Sequence, residues 1–120
     1  MSPSKSTPSE DGRRVQVAHG RGAYANTREA LQAIDLSSTR GTRVLLKPNA
    51  GRVAPPGSGI TTHPDVVAAA IDLFREAGAD VAIGESPIVG VDVQEAFEVG
   101  GIAAVAKQRD CPLIDMDRRR

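Results

Sequence analysis

The chain has 120 residues, which suits one ordinary domain and is too short for two. Its fifteen basic and fifteen acidic side chains cancel, which removes any long-range electrostatic case for nucleic acid or an anionic membrane surface. Tyr24, Phe74 and Phe97 are the whole aromatic supply, too few for base stacking, and the lone Cys111 excludes an internal disulfide and a cysteine-held zinc or iron–sulfur centre.

No apolar run approaches the roughly 20 residues of a spanning helix. Arg13-Arg14 is followed by VQVAHGRG, with no apolar segment of the kind an export signal needs. The expectation is a cytoplasmic chain with neither a nucleic-acid nor a membrane partner.

Residues 1–13 are rich in Ser and Pro and poor in apolar side chains, so a flexible tail is expected there. Residues 15–18 alternate apolar and polar, which suggests a first strand ending at His19. Asn26-Thr27-Arg28-Glu29 has the form of a capping box, and Ala30, Leu31, Ala33 and Ile34 continue it as a short helix. Gly41 turns the chain into a strand over 43–46. Residues 47–64, KPNAGRVAPPGSGITTHP, form a long loop, and Pro64 opens a helix whose Val67, Ala70, Ile71 and Phe74 share one face. Gly78 stops that helix, and 81–83 make a third strand that ends in Gly84-Glu85-Ser86-Pro87. Asp92 and Glu95 start another helix, Gly100-Gly101 breaks it, 102–108 form one more, and 112–114 begin a fourth strand. The block from 14 to 117 is expected to be one α/β domain, with a basic end at 118–120.

Strands alternating with helices, with short continuous apolar runs as strands, predict a short, mostly parallel sheet of about four strands flanked by helices, Rossmann-like and three-layered. In a parallel sheet all strands end on one edge, and that edge is where open α/β sheets bind ligands. The polar segments after the strands, His19 to Gly22, Lys47 to Asn49, Gly84 to Ser86 and Asp115 with Asp117, are expected to gather there.

The segments YANTREAL at 24–31, VLLKPN at 44–49, TTHP at 61–64 and GESP at 84–87, in that order, resemble the prokaryotic family known as domain of unknown function 362. The resemblance runs from about Val15 to Asp117. It implies an α/β protein whose members are often longer, some joined to a ferredoxin-like cluster domain, with this chain matching their N-terminal part. It implies no reaction.

Thr61, Thr62 and His63 lie at a helix start, where free backbone N–H groups and the dipole favour an anion; a helix cap alone also accounts for them. Lys47 leaves a strand end and can supply a point charge, or simply reach solvent. Asn49 and Ser86 complete the expected ligand-binding set of Lys47, Asn49, Thr61, Thr62, His63 and Ser86. His63 and Glu85 are the acid/base candidates. His63 and Glu85 with His19 or Asp115 have the chemistry of a mixed metal site, but no ligand spacing supports one, so no metal is assigned and the cofactor is unknown.

Gly20-Arg21-Gly22-Ala23-Tyr24-Ala25 matches a loose dinucleotide motif, yet the capping box puts the helix start beyond it and Lys47 stands where an acidic residue is needed. Gly84-Glu85-Ser86-Pro87-Ile88 is not a nucleophile elbow. The sequence therefore predicts a small anionic ligand, phosphate or carboxylate, at the sheet edge of part of a small-molecule enzyme. The alternative is a non-catalytic accessory module, acting as a homo-oligomer or with a partner chain that covers an open sheet edge.

Overall fold

In the computed structural model, residues 14–118 are described, together with the backbone of a strand β1 (Lys5–Pro8). β1 pairs antiparallel with β2 (Arg14–Val17), inside the stretch expected to be a flexible tail. Residues 1–4, 9–13 and 119–120, which carry the rest of that expectation and most of the basic end, lie outside the described residues.

β2 corrects a second expectation. It pairs with β1 in a separate two-stranded sheet and does not join the parallel one. The alternation does make a strand, but Val15 and Val17 are exposed and Gln16 is half-buried, so its apolar side faces outward.

Helix α1 (Ala23–Gln32) starts three residues before the expected cap. Asn26 does not cap it. Its side-chain carbonyl accepts from Arg21 N–H at 3.1 Å and ties down the preceding turn, while Gly22 (φ 87°) takes the N-cap position. Gly20-Arg21-Gly22 thus does open a helix. Because β2 lies in a different sheet, the strand–helix–strand unit of a dinucleotide site is still not formed.

A single 3₁₀ turn (Ser37–Thr39) leads to β3 (Arg43–Leu46), and the long loop then leads to α2 (Pro64–Glu76). β4 (Asp80–Glu85), α3 (Val93–Val99), α4 (Ile102–Gln108) and β5 (Leu113–Asp115) follow. β3, β4 and β5 form a parallel sheet in that spatial order, with Leu46 opposite Ile83 and Glu85 opposite Asp115. The fold is α/β around this three-stranded sheet, one parallel strand fewer than expected.

Val44, Leu46, Val81, Ile83 and Leu113 alternate onto the sheet face that packs on the helices. Val67, Ala68 and Ile71 of α2 meet them with Val93 and Phe97 of α3 and Ile102 and Val105 of α4. Phe97, Ile71, Ile83, Ile102 and Val81 are the largest fully buried side chains, each contributing about 1.5–3 kcal/mol of transfer free energy. α1 buries no residue fully. It crosses α2 through polar bridges: Tyr24 Oη donates to Asp72 Oδ2 at 2.6 Å, and Arg28 pairs with Glu76 at 2.9 Å. Arg109 Nε also meets Asp72, at 2.9 Å. Burial pushes the Asp72 carboxyl up, but the hydrogen bonds from Arg109 and Tyr24 outweigh it and hold the group below the usual carboxylate range.

Candidate functional site

The loop at 47–63 is long but strongly tied. Asn49 N–H donates to Thr62 Oγ1 at 2.9 Å, and Thr62 N–H returns a bond to the Asn49 carbonyl at 2.8 Å. This double link joins the two ends of the loop and closes it against α2. Asn49 Nδ2 also donates to the Ile60 carbonyl at 3.3 Å. Between the ends, Ala50 and Ala54 are buried and anchor the loop to the body. The loop lies over the junction of α3 and α4, where Gly101 (φ 83°) turns the chain in the left-handed region. A Cβ there would sit 3.0 Å from Pro64 Cγ and 3.2 Å from Pro56 Cγ, so glycine is needed for both the backbone angle and the space.

β4 ends at Glu85, which is 3% exposed and is the one buried charged side chain among the described residues. Three donors meet it. Lys47 Nζ lies 2.6 Å from Oε1, Ser86 N–H donates to Oε1 at 2.8 Å, and Ala50 N–H donates to Oε2 at 2.9 Å. Burial raises its pKa, but the Lys47 ammonium and the two backbone donors outweigh that and hold the carboxyl below its ordinary value. Lys47 is 54% exposed, so it presents to solvent whatever donor capacity Glu85 leaves.

Register explains the pairing. Leu46 faces Ile83 across parallel strands, so Lys47 and Glu85 leave neighbouring strand ends on the same edge. The sequence placed both at that edge; what it missed is that they bind each other. Glu85 is thus committed to the fold, and of the two acid/base candidates only His63 keeps an accessible ring.

His63 is the N-cap of α2: its Nδ1 accepts from Asp65 N–H at 3.1 Å. An Nδ1 that accepts carries no proton, so the ring proton is on Nε2 and is a donor. Thr62 Oγ1 likewise accepts from Asn49 and keeps its own O–H to donate. Around the start of α2, Thr62 O–H and His63 Nε2–H remain as donors, beside the exposed Asp65 carboxylate, whose Oδ2 lies 3.9 Å from His63 Nδ1.

Ser86 is different. Its hydroxyl donates to Asp117 Oδ1, and Asp117 N–H donates to Asp115 Oδ1 at 3.0 Å, so Ser86 belongs to an acidic corner. Thr61 is half-buried and its hydroxyl lies on the Gly100 side, at the α3–α4 junction. His19 follows β2, outside the parallel sheet, and is not carried to the rim by it. No group of three or more His, Cys, Asp or Glu side chains among the described residues is placed to hold a metal ion.

Two grooves adjoin these elements. One, of about 540 Å³, runs between β5 and α3, with Phe97 and Leu113 in its wall and Asp115 and Arg118 at its lip. The other, of about 600 Å³, lies between α1 and α2.

An α/β protein with a polar rim at the C-terminal ends of a parallel sheet is the class that fold and site define. Residues 44–120 match the family described as Domain of unknown function (DUF362), and the chain belongs to that family. The match takes in VLLKPN, TTHP and GESP but not the 24–31 segment. The chain is also similar to the thylakoid-associated protein sll1697 of Synechocystis sp., at 37% identity over 75 residues, covering 62% of this chain and 23% of that protein. It therefore spans about a quarter of that relative's length. No solved structure matches. No helix among the described residues is long and apolar enough to cross a membrane.

Proposed function

We propose that the rim binds a small anionic ligand, a phosphate or carboxylate, between Lys47 and the start of α2, as the ligand-binding part of a small-molecule enzyme working in the cytoplasm. The observation that carries this is the Lys47–Glu85 pair at 2.6 Å, in which a buried carboxylate orients a half-exposed ammonium at the strand ends. A pre-oriented cation loses less side-chain entropy on meeting a ligand than a free lysine does. Thr62 O–H and the His63 Nε2–H add neutral donors, which suits a ligand rich in acceptors. In this reading Asn49 and Thr61 hold the loop, and Ser86 holds the acidic corner that bounds the ligand on its far side.

The test is a thermal melt of the chain with inorganic phosphate and with succinate. A ligand at 100 times its dissociation constant stabilises by about 2.7 kcal/mol, roughly 10 °C in a protein of this size. Lys47→Gln is expected to abolish the shift and Arg118→Gln to leave it. A shift of the same size in Lys47→Gln, or none in the unaltered chain, sinks the reading.

A second reading, a non-catalytic module that associates through its sheet, is supported by β3 and β5, each of which pairs on one side only among the described residues.

A further inference from the structure

A parallel sheet is ordinarily covered on both faces, because crossover helices line both sides. Here the core lies on one face. By strand alternation Arg43 and Leu45 of β3, Asp80, Ala82 and Gly84 of β4, and Ile114 of β5 turn to the other. Leu45 is 47% and Ile114 43% exposed. A shallow, mostly apolar groove of about 300 Å³ runs between Leu45, Ala82 and Ile114. Leu45 and Met116 lie over Gly84, where an added Cβ would be 3.1 Å from Leu45 Cδ1 and from Met116 Sδ.

The β3 and β4 rows of this face are complementary to each other. In register, Arg43 stands beside Asp80 and Leu45 beside Ala82, a cation beside an anion and a large side chain beside a small one. From that pattern we infer that the bare face is covered by a second copy of this chain, about a two-fold axis parallel to the strands and between β3 and β4. That operation lays β3 of each copy on β4 of the other. Arg43 then meets Asp80 of the second copy and Leu45 enters the space over its Ala82, each contact occurring twice. An axis through β4 sets Asp80 against Asp80 instead, and like charges so placed are repelled. The face is only three strands wide, far below the roughly 800 Å² per partner of a standard interface, so the dimer is weak and forms at high concentration. This inference is independent of the ligand reading. The two rims end up side by side at one end of the dimer.

Sedimentation velocity on the full chain up to about 1 mM tests it. The unaltered chain is expected to dimerise reversibly. Arg43→Asp alone and Asp80→Arg alone are expected to stay monomeric, since each puts like charges in both contacts. Mixed one to one, they are expected to form a heterodimer, because both contacts are then again of opposite sign. If either charge variant fails to melt cooperatively, Leu45→Gln gives the same monomer readout. A monomer at 1 mM overturns the inference. So do dimers that persist in the single variants, as pairing through a strand edge would give, or a mixture that does not associate.

Discussion

Glu85→Ala is expected to lower stability by about 3 kcal/mol and the melting temperature by roughly 10 °C. Thermal and urea unfolding of the variant are the measurements. The substitution removes the acceptor of three bonds at once and takes from the buried Ala50 N–H its Glu85 partner. The loop loses its Glu85 link to the end of β4, while Asn49 still ties the loop's ends through Thr62 and the Ile60 carbonyl. The sign of the pH dependence follows from the same contacts. Glu85 has a folded-state pKa below its unfolded value, so its contribution is fully present above the ordinary glutamate range. It is lost as pH falls through the depressed folded value. The gap in stability between the unaltered chain and Glu85→Ala should therefore be wide at pH 7 and close in acid. A gap independent of pH, or a loss under 1 kcal/mol, would show that the buried carboxylate does not hold the rim.

Phe97→Ala is expected to cost about 3–5 kcal/mol, with a cavity that the short α3 cannot collapse to fill. Phe97 is 1% exposed and is the largest side chain of a core that is otherwise mostly aliphatic. It also borders the groove beside β5, so part of its space can flood. Phe97→Leu should recover most of the loss, because leucine fills most of the ring's space and leaves a much smaller cavity than alanine does. Denaturant midpoints for the two variants decide this, with equal losses contradicting the packing argument.

The elements that were legible in the sequence are those whose signal is local. The apolar runs of β3 and β4, the Pro64 start and Gly78 stop of α2, and the Asp92 cap of α3 each name their own structure. The pairing of β1 with β2 was not legible because the Lys, Ser, Thr and Pro residues of β1 carry no apolar period. The start of α1 was misplaced because Asn26 followed by Glu29 reads as a cap, whereas the Asn26 side chain bonds backward to Arg21. At the site, parallel topology was enough to bring Lys47 and Glu85 to one edge. Their contact depends on register, which sequence fixes only through the hydrophobic pattern of both strands taken together. The division of the rim between the Thr62 and His63 donors, with Asp65 beside them, and the Asp115–Asp117 corner, with Arg118 on Asp115, depends on which side chain bonds which neighbour. No spacing encodes that.

The most direct test of the rim as an anion site is residue-resolved. In a two-dimensional ¹H–¹⁵N NMR titration with inorganic phosphate, the account predicts saturable shifts at Lys47, Thr62 and His63, with Phe97 and the α1 amides still, and none of these shifts in Lys47→Gln. Shifts confined to other surfaces, or a linear drift without saturation at every amide, would contradict it.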